Sequence, residues 1–152
     1  MPELTARHAL PTAAPRYSRS YDGHAEQAGA VRRFVADVLE GSPALGDAVL
    51  CVSELVANAI LHSKSGLPDG QFEVRIFPHP AGHVRIEVTD QGGPWAPDPG
   101  GRQNHGRGLL SVSRLAADWG IVGDDQTGRT AWFELLSTLD STSDVSSDQE
   151  RP

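Results

Sequence analysis

The chain has 152 residues and a formal net charge of −7, with 38% hydrophobic and 22% charged residues. That size and balance fit one globular domain around a single core. The negative charge argues against non-specific nucleic-acid binding, which works by neutralising phosphates with Lys and Arg; it leaves open a nucleotide, which needs only a local positive or dipolar site, and a basic protein surface.

No apolar run reads as a membrane span, and Met1–Leu10 has no secretory pattern. Cys51 is the sole cysteine, so no intrachain disulfide can form, and its apolar setting reads as a small core residue rather than a nucleophile. The expected location is the cytoplasm.

Residues 1–15 contain Pro2, Pro11 and Pro15 without periodicity and read as a flexible N-terminal tail. Arg16 to Tyr21 reads as an edge strand. From His24 to Glu40, Ala28, Val31, Phe34, Val35, Val38 and Leu39 fall at helical spacing, and Gly41-Ser42-Pro43 ends that helix. A second helix is expected from about Ala44 to Ser63.

Within that second helix, Glu54, Asn58 and His62 recur every four residues in an otherwise apolar segment. A helix turns roughly 100° per residue, so the three share a face, with Val49, Val52, Val56, Ala59 and Ile60 packing opposite. A carboxylate and an amide on so apolar a helix need partners. The motif alone is divided between a surface polar stripe and a site that awaits a ligand.

Gly66 to Gly70 is a loop. Phe72–Phe77 and His83–Val88 alternate and form a hairpin about the turn Pro78–Gly82. Gln91–Gly106 is rich in Gly and Pro, and Leu109–Ala117 is a short amphipathic helix. Trp119–Val122 and Thr130–Leu135 read as strands joined across Asp124–Gly128. Residues 137–152 are an acidic Ser/Thr-rich tail that cannot pack a core. Residues 16–136 are therefore the domain, of α+β class.

Four segments carry chemistry in order: Glu54–Asn58; Thr89-Asp90-Gln91-Gly92-Gly93-Pro94; Gly106-Arg107-Gly108-Leu109-Leu110; and Gly128-Arg129-Thr130-Ala131-Trp132-Phe133-Glu134. Their order resembles the N, G1, G2 and G3 boxes of the GHKL ATPase superfamily, and within it the anti-sigma-factor serine/threonine kinase branch common in actinobacteria. Each box is weak alone; the specificity lies in the register. The resemblance covers about Tyr17 to Leu135. It implies a Bergerat-type ATP-binding fold: a two-layer α/β sandwich whose mixed, mostly antiparallel sheet is covered on one face by helices.

The resemblance also implies roles. Asn58, an oxygen donor, matches the residue that holds Mg²⁺, a hard cation often completed by water and substrate phosphates; the bland alternative is a bond to nearby backbone. Glu54 matches the group that orients or deprotonates an incoming hydroxyl or water; otherwise it is a solvated acid or supports the metal's ligand. Asp90, ending an apolar strand, matches the reader of the adenine amino group, with Gly92 giving close backbone approach; otherwise it is a turn Asp. Pro94 stands where the second glycine of D-x-G-x-G is expected, which puts the loop's shape in question.

Gly106, Arg107, Gly108 and Leu109 form the expected phosphate cradle at a helix start, with Arg102 a further candidate charge, and Gly93–His105 the expected lid. No Walker-type loop occurs in the sequence. Thr130 offers a hydroxyl at the adenine end, while Trp132, Trp119 and His62 read as structural. The implied ligands are ATP and Mg²⁺. The implied partners are a sigma factor and an anti-anti-sigma antagonist, with no direct nucleic acid or membrane contact and room for a homodimer. Two functions follow: an anti-sigma serine/threonine kinase, or a non-catalytic ATP-dependent binding module.

Overall fold

A computed structural model describes residues 16–79, 82–93 and 109–136. The expected tails at 1–15 and 137–152, the segment 94–108 and the residues Arg102, Gly106, Arg107 and Gly108 lie outside the described residues. The elements run β1 (Tyr17–Asp22), α1 (Gln27–Val38), α2 (Leu45–His62), β2 (Gln71–Pro78), β3 (Val84–Thr89), α3 (Leu109–Leu115), β4 (Asp118–Asp124) and β5 (Gly128–Leu135), with a 3₁₀ turn at Lys64–Gly66.

The strands form one sheet in the order β1-β2-β3-β5-β4. Each pairing is antiparallel, so the described sheet has none of the parallel pairing that a mixed sheet would contain. The fold is α+β, with helices on one face.

Period-two alternation sorts each strand's side chains between the two faces. Phe72, Val74 and Ile76 of β2, Val84, Ile86 and Val88 of β3, and Phe133 and Leu135 of β5 enter the core. They meet Val31, Phe34 and Val35 of α1 and Ala48, Val52, Leu55, Val56 and Ala59 of α2. Val49 and Ile60 pack at its margin. Burying a side chain of the Val, Leu, Ile or Phe type contributes about 1.5–3 kcal/mol, so this interface dominates the stability.

By length and composition α2 could cross a membrane, with a mean hydropathy of 1.4 over 18 residues, contrary to the expectation that no run reaches that length. Its apolar side is instead part of the core, with Ala48, Val52 and Val56 fully buried. The hydropathy is that of a central core helix.

The opposite sheet face is polar, with Arg85 buried at its centre and Glu73, Arg75 and Glu134 partly exposed around it. Arg85 is fully buried there, its Nε donating to Glu87 at 2.9 Å and its Nη1 to Glu134 at 3.0 Å. Arg75 reaches Glu87 at 3.1 Å and donates to the Thr89 hydroxyl at 2.7 Å. Gly120, opposite Trp132 in the β4–β5 register, leaves room for the indole: a Cβ there would stand 3.1 Å from the ring.

Candidate functional site

Two elements converge at one end of the core. The middle of α2 supplies Leu55, Asn58 and Ala59, and the sheet supplies Val88, Asp90, Ile121, Arg129 and Ala131. Between them lies a narrow cleft enclosing about 20 Å³, the room of a single water. Asn58 and Asp90, separated by 32 positions in sequence, thus face the same space.

Helical period places the α2 residues. Asn58 is half-buried, and its amide makes no hydrogen bond among the described residues, so the backbone-bonded alternative has no partner there. One turn earlier, Glu54 is half-buried too, and its Oε2 is buried without a hydrogen-bond partner among the described residues. Glu54 does not itself line the narrow cleft. His62 is the last residue of α2, where an imidazolium favours the helix dipole.

Cys51, one turn before Glu54, is fully buried. Burial, reinforced by the charges of Glu54 and Asp47, pushes its thiol up to about 12. It is inert at neutral pH.

Asp90 follows β3 and continues its ladder, its N–H donating to the Arg129 carbonyl at 2.9 Å. Its Oδ1 accepts from the Gly92 N–H at 2.7 Å and from the Arg129 N–H at 3.3 Å. Oδ2 takes no hydrogen bond among the described residues.

The two glycines that follow are required by their surroundings. Gly92 has φ 75°, and a Cβ on it would stand 2.5 Å from the Asp125 carbonyl oxygen. Gly93 has φ 113° and lies against the Lys64 side chain, whose Cγ would be 2.8 Å from an added Cβ. The loop is pinned on both sides: Lys64 N–H donates to the Gly92 carbonyl at 2.7 Å, and Gly93 N–H donates to the Asp125 carbonyl at 2.7 Å.

The expected Thr130 stands elsewhere. Its hydroxyl bonds that of Thr89 at 2.8 Å on the face turned away from the helices. Alternation makes this unavoidable, because Ala131 and Arg129 take the cleft side. Arg129 is the residue that the sequence reading missed. Leu109 begins α3 and packs at the edge of the core. Trp132 stacks under Arg85 on the outer face, and Trp119 occupies edge strand β4, in keeping with structural roles.

The donor set suits a hard cation shared with a ligand. Among the described residues no group of three or more His, Cys, Asp or Glu converges. A cation here would therefore take the Asn58 oxygen together with ligand phosphates and water, which fits an amide that has no internal partner.

Comparison with known proteins identifies the family. A family model described as the histidine kinase-like ATPase domain matches residues 22–134. The chain belongs to this family. It therefore sits in a kinase and ATPase class that uses nucleotide.

The structure resembles that of the RsbU and RsbW domains of Rv1364c from Mycobacterium tuberculosis, with a TM-score of 0.61 at 23% identity over 82% of this chain and 33% of that one. The chain thus spans about a third of the length of that structure. The histidine kinase domain of the blue-light activated histidine kinase EL346 from Erythrobacter litoralis matches with a TM-score of 0.47 at 18% identity, over 78% of this chain and 63% of that one. A comparison with curated protein sequences finds no match. In this histidine kinase-like ATPase domain, the cleft between α2 and the sheet is the candidate nucleotide site.

Proposed function

We infer that the chain is an ATP-dependent protein serine/threonine kinase of the anti-sigma type. It acts in the cytoplasm on an antagonist protein and holds a sigma factor inactive. The observation that carries this reading is the pairing of Asn58 with Asp90 across one cleft, with the unpartnered Glu54 Oε2 one helical turn away. The order of the four sequence boxes supports the anti-sigma branch.

Each residue has one task. Asp90 Oδ2 accepts a hydrogen bond from the exocyclic amine of adenine, and the apolar walls Leu55, Val88, Ile121 and Ala131 flank the base once the cleft widens beyond its single-water room. Asn58 would hold Mg²⁺, which supplies charge neutralisation at the phosphates. Glu54 orients the acceptor hydroxyl and takes its proton as the oxygen bonds the γ-phosphorus and the bond to ADP breaks. A carboxylate oxygen that is buried without a partner is suited to this task, because it waits for a donor the substrate brings.

The test is transfer of radiolabel from γ-labelled ATP to the Ser or Thr of an antagonist encoded beside the gene. Transfer that requires Glu54 supports the kinase. Tight partner binding in ATP without any transfer replaces it with the non-catalytic binding module.

A further inference from the structure

Arg129 joins the cleft residue Asp90 to the Gly93 loop and to the β4–β5 turn. Its backbone N–H donates to Asp90 Oδ1 at 3.3 Å, and its backbone carbonyl accepts from Asp90 N–H at 2.9 Å. Its side chain is only 11% exposed. Nη1 donates to the Gly93 carbonyl at 3.1 Å, and Nη2 pairs with the Asp125 carboxylate. Gly93 N–H in turn donates to the Asp125 carbonyl at 2.7 Å. The result is a closed ring of Arg129, Gly93 and Asp125, built on the residue whose backbone holds Asp90.

This ring borders the loop whose Gly92 N–H bonds the Asp90 carboxylate. Gly92 and Gly93 both have positive φ, a conformation that glycine enters freely and leaves freely. Something must select one loop shape from the many that two glycines allow. Backbone bonds from Lys64 and to Asp125 hold part of it, and the planar guanidinium adds the side-chain clamp, bridging a carbonyl and a carboxylate in a fixed fork that no single ammonium reproduces.

We propose that Arg129 is the positioning residue for the base end of the nucleotide cleft, fixing the Asp90–Gly93 loop so that Asp90 Oδ2 faces the purine and so setting the preference for adenine over guanine. The proposal rests on the ATP-binding reading above. Adenine presents a donor at its six-position and guanine an acceptor. A fixed carboxylate therefore accepts the first and repels the second. A loosened loop lets the carboxylate turn toward guanine's ring N–H and amine, and the discrimination fades.

The test is titration of the full chain with ATP and with GTP, each with Mg²⁺, for the parent, Arg129→Lys, Arg129→Ala and Asp125→Asn. The parent should prefer ATP. Arg129→Ala should lower ATP affinity about tenfold or more and bring the ATP-to-GTP ratio toward one. Arg129→Lys should recover part of the ratio, and Asp125→Asn should lose less of it than Arg129→Ala.

Hydrogen exchange gives a readout independent of nucleotide. The Gly92 and Gly93 amides should exchange faster in Arg129→Ala, while those of the central β3 strand keep their protection. An Arg129→Ala protein that remains folded and keeps the parental ATP-to-GTP ratio overturns the proposal, as does unchanged exchange at Gly92 and Gly93. A parent that binds neither nucleotide overturns the ATP-binding reading itself, and the selectivity role with it.

Discussion

The Arg85 guanidinium lies 4.0 Å above the centroid of the Trp132 ring, on the sheet face turned away from the helices. Trp132 closes one side of the charge while Glu87 and Glu134 neutralise it. Desolvating these groups is costly, and only their mutual pairing offsets the cost.

A ranking of variants follows from that balance. Glu87→Leu leaves the buried Arg85 with Glu134 as its one carboxylate and Arg75 with Glu73 and the Thr89 hydroxyl, and should cost about 2–3 kcal/mol, below the roughly 3–5 of a fully stranded buried charge. Arg85→Met costs less, because Glu87 keeps Arg75 at 3.1 Å and Glu134 is still reached by water. The double variant should be more stable than the sum of the two singles. Urea denaturation measures all three, and simple additivity would show that the network is not coupled.

This network also marks where sequence reasoning stops. The alternation Val84-Arg85-Ile86-Glu87-Val88 announces a strand and its core face, and the helix period fixes Glu54 and Asn58 on one side of α2 without any tertiary information. The fold class was legible for that reason. Burial of Arg85 depends on Trp132 and Gly120, which stand near it only through the register of β3, β5 and β4. The expectation for Thr130 failed on the same point: a shift of one residue exchanges the faces of a strand. Only the pairing of Thr89 with Thr130 places Arg129 at the cleft.

Asp90→Asn isolates the reading of the base. The new amide oxygen can still accept from the Gly92 and Arg129 N–H groups, so the loop is kept. Its nitrogen replaces Oδ2 and presents a donor to the adenine amine. ATP binding should weaken by about 1.5–3 kcal/mol, roughly ten- to a hundredfold in Kd. Calorimetry is the measurement, and equal affinity of the parent protein for ATP and GTP would remove Asp90 as the selector.

Asn58→Ala addresses the metal. Since the amide bonds nothing among the described residues, its loss should leave thermal stability nearly unchanged. The Mg²⁺-dependent part of ATP affinity should vanish while the metal-free part persists. Binding of Mg-ATP as tight as the parent's would return Asn58 to a structural role.

The β4–β5 turn carries a pH dependence. Asp124 Oδ1 accepts from the Thr127 N–H at 2.7 Å, the Thr127 hydroxyl at 2.8 Å and the Gln126 N–H at 2.9 Å. These bonds, those of Thr127 first, hold its carboxyl below the ordinary 3.8. A depressed folded value means that the stabilisation is fully present above the ordinary carboxylate range and is lost as pH falls through the folded value. The amide resonances of Gln126 and Thr127 should therefore titrate together at a pH below that of a free Asp. Asp124→Ala should abolish the transition; its survival would assign it to another carboxylate.

Glu54→Gln separates kinase from binder. Glutamine keeps the size and the hydrogen-bonding reach of the side chain but cannot take a proton. Oε2 has no hydrogen bond among the described residues to lose, and a neutral amide is cheaper to bury than a carboxylate, so the stability of the fold should be kept. ATP affinity should stay near the parent's, because Asn58 and Asp90 line the cleft and Glu54 does not. Partner binding should also persist. Phosphotransfer to the antagonist should slow by at least about a hundredfold, the usual share of a general base. Single-turnover transfer at saturating ATP is the measurement, since it reports the chemical step apart from binding and product release. An unchanged rate would take Glu54 out of the mechanism. A rate lost together with ATP affinity would mean that the carboxylate serves the nucleotide rather than the hydroxyl.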